Sequence, residues 1–401
     1  MILNPFINTA SIGCLFFLAI LTLTKKSNTP LGYRFLSLLF ILLALIFTDD
    51  VLEYYSVFNT HPWLIIVFEP LVYAFAPLIY LAVSYLTTIR KELSPMIIFH
   101  FIPYVLLVGL YVISVYADDN PGEPDAIDEK TLEAFLLTLF YIQIFFYLYF
   151  SITQLKRHRL NLPLFVSNLS DNDYHWLFKT IIGLSALAFL SLIEVIFHQG
   201  NLSLYFSFLY LVGFYYVGIQ VSKQKDVFPF TKDQMESVAD LIHDHQHVTE
   251  KEVKVESALT LENNDPHQIS MPERKKVISE EKITHYKQQL EVLMELEKPY
   301  LDSEITLPKL AELLKLNTYQ ASYLINSCFN ENFFTFVNRY RLDKCKRMLI
   351  DPTYNHLSIL GIAFECGFNS KTAFNTSFKK YVGLSPKEFK EQIGKVKTTS
   401  E

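Results

Sequence analysis

Apolar positions along this chain fall into two regimes. Through the first 221 residues they form long, nearly unbroken runs, at 4–24, 33–52, 63–88, 96–117, 132–153, 176–198 and 203–221. The run Ala134–Phe150 (AFLLTLFYIQIFFYLYF) has only Thr138 and Gln143 as clearly polar positions. A helix needs roughly 20 apolar residues to cross a bilayer, because lipid offers no partner to backbone N–H and C=O groups. A water-soluble helical bundle would instead carry a polar stripe every three to four residues. The pattern predicts seven membrane spans, the second being the weakest because its apolar run stops at Thr48 before Asp49 and Asp50. Beyond residue 278 the period becomes that of amphipathic helices. One covers Ser279–Leu296, with Ser279 as N-cap and Ile283, Tyr286, Leu290, Leu293 and Met294 on one face. Five more are expected at Leu307–Leu316, Tyr319–Asn326, Phe334–Ile350, Ile359–Cys366 and Lys371–Tyr381. The fold class is therefore all-α: a seven-helix transmembrane bundle followed by a cytoplasmic helical domain.

Charge divides the chain in the same places. The net formal charge is −5 over residues 1–221, −5 over 222–301 and +4 over 302–401. Within the front half the basic loop residues alternate with acidic loops. Lys25, Lys26 and Arg34 follow span one, Arg90 and Lys91 span three, Lys156, Arg157 and Arg159 span five, and Lys223 and Lys225 span seven. Asp49, Asp50 and Glu53, then Asp118, Asp119, Glu123, Asp125, Asp128 and Glu129, occupy the opposite loops. The positive-inside rule places the N-terminus outside and everything after residue 221 in the cytoplasm. Trp63 and Trp176 fall at span ends, where an indole sits among headgroups. The first 24 residues carry no base ahead of their apolar run, so they read as a span rather than a leader. Four cysteines, one in the first span and three in the tail, imply no disulfide framework.

Candidate chemistry inside the spans is sparse. Ionisable groups in a bilayer are functional suspects; here they are Glu69, His100, Glu194 and His198, the first three being the candidate ligand-sensing residues. Glu69 and Glu194 would bind a cationic or hydroxylated ligand in the bundle, with the alternative that they hydrogen-bond neighbouring helices. Pro70 and Pro77 would kink the third span and free carbonyls. No HExxH, paired-aspartate or Ser/His constellation accompanies these groups, so no enzyme and no cofactor is expected. Residues 222–278 read as a flexible acidic linker. His243, His245 and His247 lie in it at alternate spacing without a second cluster to fix a metal's geometry, so no metal site is expected. A stretch of this length also leaves no room for a kinase domain.

The basic tail carries the specific pattern. LPKLAELLKL, a turn at Asn317–Thr318, and YQASYLIN form a short helix, a break and a second helix that exposes polar side chains, which is the grammar of a helix-turn-helix. ILGIAFEC, Gly367 as the turn, Phe368 as a core plug and a helix capped by Asn369 or Ser370 repeat it. Between the two units runs FTFVNRYRLDKCKRMLI. These residues resemble the DNA-binding domain of AraC/XylS-type bacterial transcription regulators over about 305–391. Arg341, Cys345, Met348 and Leu349 match R-x-x-x-A-x-x-L-L, with Cys345 in place of Ala. Ile359, Ile362, Ala363, Gly367 and Phe368 match I-x-x-I-A-x-x-x-G-F. Phe374, Phe378, Lys379, Gly383, Ser385, Pro386 and Phe389 match F-x-x-x-F-K-x-x-x-G-x-[ST]-P-x-x-[FY]. Thr376 stands where the family usually has Arg, and Ala321 where it usually has Leu.

The resemblance implies a double helix-turn-helix at 302–393 that binds promoter DNA. Candidates for base edges are Tyr319, Gln320, Ser322 and Tyr323 in the first reading helix and Lys371, Thr372, Asn375 and Thr376 in the second. Arg339, Arg341, Lys344, Lys379 and Lys380 are cations of the kind that contacts phosphate; Arg341 has the alternative of a buried structural partner. The expected organisation is a sensor domain at 1–221, the linker at 222–278, a linker helix at 279–301, the DNA-binding domain at 302–393 and a tail at 394–401. That linker helix could pack on the following domain or pair two copies into a homodimer. The implied partners are double-stranded promoter DNA, membrane lipid, RNA polymerase and an unidentified small-molecule or membrane signal. The implied location is the bacterial cytoplasmic membrane. The competing expectation is a membrane receptor whose helical tail is a protein-interaction module.

Overall fold

In a computed structural model, the structure describes residues 3–89, 92–106, 108–109, 129–169, 174–197, 203–224, 228, 230, 233–242 and 278–398. Helix is the regular element throughout these residues, apart from one isolated antiparallel bridge between Val166 and Thr306. The chain divides into two units. The first takes Met1–His158 and Tyr174–Asp226; the second takes Arg159–Asp173 and Val227–Glu401.

The first unit is built from α1 (Leu3–Leu23), α2 (Pro30–Tyr54), α3 (Trp63–Thr87), α4 (Glu129–Asn161), α5 (His175–Phe197) and α6 (Ser203–Lys223). Helix α3 tightens to a 3-10 turn at Glu69–Leu71, where Pro70 has no N–H to give. Helix α1 packs on α2 and α6, and α2 on α3. Helices α2 and α3 approach each other closely at Gly32, where a Cβ would stand 2.6 Å from the Leu86 backbone nitrogen. Leu15, Leu18, Tyr33, Leu36, Phe40 and Leu86 are buried in the interior. The outward faces are just as apolar: Phe17, Ile98, Phe146 and Tyr215 are largely exposed. Such a surface suits lipid rather than water.

Five of the expected spans are helices long and apolar enough to cross a membrane: Pro5–Leu23, Pro30–Tyr54, Trp63–Thr87, Ala134–Leu164 and Leu204–Lys223. The expected span at 96–117 begins as a shorter apolar helix, Pro95–Leu106, and most of its remainder lies outside the described residues. The expected span at 176–198 coincides with α5, whose side chains beyond residue 183 are largely outside the described set.

The second unit contains a helix over 233–242, here α7, and then α8 (Glu280–Leu296), α9 (Leu307–Leu313), α10 (Thr318–Phe329), α11 (Phe333–Ile350), α12 (Ile359–Glu365), α13 (Lys371–Val382) and α14 (Pro386–Thr398). Residues 233–242 were expected to belong to the linker. They are helical because Met235, Val238 and Leu241 recur every three residues and are buried, a short period easily hidden in an acidic stretch.

Polar side chains cap α10, α11, α12 and α13. The Asn317 side chain accepts from Gln320 N at 2.8 Å while the Gln320 side chain accepts from Asn317 N at 3.1 Å. Asn332, Ser358 and Ser370 cap α11, α12 and α13 in the simpler way. Asn317→Ala is expected to destabilise the first helix-turn-helix by about 0.5–2 kcal/mol, read as earlier hydrogen exchange of the α10 amides.

The core of this unit forms around α11. Leu342, Cys345, Met348 and Leu349 meet Ile362 and Ala363 of α12 and Cys366, Phe368, Phe374 and Phe378 beyond it. Rings of Phe368, Phe374, Phe378 and Phe389 follow one another at centroid distances of 5.3–5.5 Å. On the other side, Leu290, Leu293 and Met294 of α8 are buried and α8 packs on α10. The linker helix thus spends its apolar face inside its own unit.

Candidate nucleic-acid interface

Helix α13 separates two faces by spacing alone. Phe374 and Phe378, four apart, are buried and hold the helix to the core. Thr372, Thr376 and Lys380 lie on the opposite face, Lys371, Asn375 and Lys379, also four apart, run along the flank beside it, and all six are exposed. Three ammonium groups, one amide and two hydroxyls are thus presented on a rigid, capped helix. Its C-terminus is closed by Gly383 at φ +83, whose N–H donates to Lys379 O.

Helix α10 presents less. Ala321, Leu324 and Ile325 are buried against α9. Ser322 is only 8% exposed and its hydroxyl accepts from Asn326, so it faces the core and not an approaching base. The Gln320 side chain is partly engaged by the Asn317 cap. Tyr319 and Tyr323 are half-buried at the surface.

The cations of α11 have structural posts. Arg339 is held by both carboxylate oxygens of Glu331 at 3.1 and 3.2 Å and lies over the Tyr340 ring at 4.9 Å. Lys344 donates to Glu365 O, the last residue of α12, at 2.8 Å. Arg341 is 1% exposed. Its guanidinium donates to Tyr300 O (2.7 Å), Asp302 O (2.8 Å), Ser167 O (3.2 Å), Ser167 Oγ (3.1 Å) and Asn338 Oδ1 (3.3 Å). Burial lowers its pKa to about 10, leaving it charged at neutral pH. All five acceptors of the fork belong to this unit. Cys345 fits where the related pattern has Ala because its Sγ lies 4.0 Å from Ile362 O, and burial raises its thiol pKa, keeping it neutral.

The candidate sensing residues of the first unit are not brought to one described contact. Glu69 is exposed at the 3-10 turn of α3. The His100 Nδ1 is 3.0 Å from the Tyr147 hydroxyl, and the ring lies tilted against Tyr80 and edge-on to Tyr147, the arrangement of a histidine already satisfied by its neighbours. The side chain of Glu194 and the three histidines at 243–247 lie outside the described residues.

What sequence reasoning missed is the ring of residues around Arg341. Asn338 Nδ2 donates to Ser167 O at 3.2 Å and to Phe334 O at 2.9 Å, which sets its Oδ1 toward the guanidinium. Ser167 belongs to the segment between α4 and α5. The available signal was the apolar run LPLFV at Leu162–Val166, in a connecting loop that ought to be polar.

Comparison with known proteins agrees with this geometry. Residues 310–392 match the helix-turn-helix domain family. The chain is similar to the melibiose operon regulatory protein of Escherichia coli strain K12 and to that of Escherichia coli O6:H1, 30% identical over 90 residues in each case. That stretch is 22% of this chain and 29% of the relative, so the chain spans less than a third of the length of the curated relatives it matches. No solved structure matches the chain. Two capped helix-turn-helix units joined by α11, with the R, I-A-G-F and F-K-G-S-P positions in place, make residues 310–392 an AraC-type helix-turn-helix DNA-binding domain.

Proposed function

We propose that this protein is a membrane-anchored, one-component transcription regulator. Seven spans anchor it with the N-terminus outside, the first unit senses a small-molecule or membrane signal, and the cytoplasmic second unit binds promoter DNA sequence-specifically. The observation that carries the reading is the exposed face of α13, where Lys371, Thr372, Asn375, Thr376 and Lys379 stand on a helix locked from behind by Phe374 and Phe378. Asn375 suits a bidentate contact to adenine and the threonines suit a thymine methyl. Lys379 and Lys380 suit phosphate. A rigid α11 sets the two reading helices for successive major grooves, about 34 Å apart. Regulation of an operon, which the relatives' name states of them, is the matching role here.

Selection of duplexes from a random pool by the full chain in lipid nanodiscs supplies the site, and titration of variants on it tests the assignment. Asn375→Ala is expected to cost about 1–3 kcal/mol and to relax preference at one position. Lys379→Ala is expected to weaken all duplexes alike and to reduce the salt slope by about 1. Equal loss on selected and random duplexes for Asn375→Ala would remove it from base reading.

The second reading, a receptor with a protein-interaction tail, is favoured by Thr376. It puts a neutral hydroxyl where the resembling family carries a cation. Failure of the selection to enrich any duplex would support it.

A further inference from the structure

The second unit contains a piece of chain from far outside the tail. The chain leaves the first unit after His158 and returns to it at Tyr174; the residues between belong to the second unit. Leu162, Phe165 and Val166 of this segment are 0–1% exposed. The Phe165 ring lies 6.0 Å from that of Phe228 and 5.8 Å from that of Phe230. Val166 pairs with Thr306 in the antiparallel bridge, and Leu307 N donates to Phe165 O at 3.0 Å. Ser167 Oγ donates to Ile305 O at 2.9 Å while Ser167 accepts twice from Arg341. Apolar burial, backbone pairing and a buried cation therefore converge on one short loop.

Two of these contacts serve the DNA-reading fold directly. Thr306, the N-cap of α9, makes no side-chain cap bond, so the Leu307 N–H at the start of the first helix-turn-helix is satisfied by the loop's carbonyl. Arg341, in the middle of the unit, has two of its five acceptors on Ser167. Removing the loop would leave an open helix start and a half-filled guanidinium socket at once.

We propose that residues 162–168 are the tie through which the membrane unit holds and sets the DNA reader. Docked, the segment completes the start of α9 and the Arg341 socket; displaced, it leaves both open and the first helix-turn-helix loses DNA affinity. The segment continues from α4 and leads into α5, so a signal that changes the relation of those two helices acts on its ends. A ligand that favours one such arrangement would bias the docked fraction. The proposal rests on the membrane-anchored reading. It also assigns the loop, and not only the 222–278 stretch, as what keeps the tail in place.

The test uses the full chain in native membranes, with a recognition sequence for a site-specific protease inserted within 255–265 and nuclease present to remove DNA. After cleavage, the tail of the otherwise unaltered chain is expected to remain in the membrane pellet, and Val166→Asp is expected to move most of it to the supernatant. A second variant does not depend on disrupting the site. Because the Leu307 N–H bonds to Phe165 O, Val166 and Thr306 form a non-hydrogen-bonded pair, whose Cα atoms stand about 4.5 Å apart. That spacing suits a disulfide. Val166→Cys with Thr306→Cys is expected to join the two cleavage products on a non-reducing gel, and neither single substitution is. Release of the cleaved tail from the unaltered chain, retention in Val166→Asp equal to that of the unaltered chain, or absence of the cross-link would each overturn the tie. An uncut chain found in the supernatant would instead overturn the membrane anchor.

Discussion

Arg341→Ala is expected to destabilise the second unit by about 3–5 kcal/mol, the range for removing one side of a buried charged network. The side chain donates to five acceptors supplied by Tyr300, Asp302, Asn338 and Ser167. Alanine leaves them in a site that admits no solvent at 1% exposure. A buried acceptor without a donor costs on the order of 1–3 kcal/mol, and water filling the vacated volume recovers only part of that. Arg341→Lys is expected to rescue little, since one ammonium cannot replace a planar fork that reaches acceptors from three chain segments. Hydrogen exchange of amides in α9, α10 and α11 is the measurement. Faster exchange in α9 and α11 for both variants is expected, whereas protection unchanged from the original chain would show that the socket contributes nothing.

Gly367→Ala is expected to cost about 2–5 kcal/mol. Gly367 has φ +92, where an L side chain is strained by roughly 1–2 kcal/mol. The added Cβ would also overlap Tyr300 O and stand 3.0 Å from Leu301 Cα, backbone atoms that cannot turn aside. Overpacking of this kind costs about 1–3 kcal/mol more. Gly383→Ala is the internal control. Its φ is +83, but a Cβ there meets nothing within 4 Å, so only the backbone term applies. Equal losses for the two substitutions, measured by protection of the α12 and α13 amides, would refute the steric part of the account. Arg341 and Gly367 share Tyr300: its carbonyl accepts from Arg341 and stands against Gly367, so the R and G-F positions of the motif are joined through one backbone segment.

Local signals made much of this legible in the sequence. The two helix-turn-helix units stand where the Asn317 turn and Gly367 placed them, because caps and positive-φ turns act over a few residues. Helix ends in the second unit differ by at most three residues: α9 ends at Leu313 where the apolar pattern ran on to Leu316. Five helices long and apolar enough to cross a membrane follow from unbroken apolar runs, which composition alone makes visible. The division of the expected site residues was not legible. Ser322 and Arg341 carry the same chemistry whether they face DNA or the core, and only packing distinguishes them. Least legible was the docking of Leu162–Ser167 on Thr306 and Arg341. It joins residues about 140–175 positions apart, and nothing in a local period reports a contact of that range.

The most direct test of the central claim is genomic: the intact protein is cross-linked in living cells, immunoprecipitated from membranes, and its bound DNA sequenced. The control carries Lys371→Ala, Asn375→Ala and Lys379→Ala, all on the exposed face of α13. A small set of sharp sites that disappear in the control is the expected result. No enrichment under several growth conditions, with the protein present in the membrane fraction, would contradict a DNA-reading regulator.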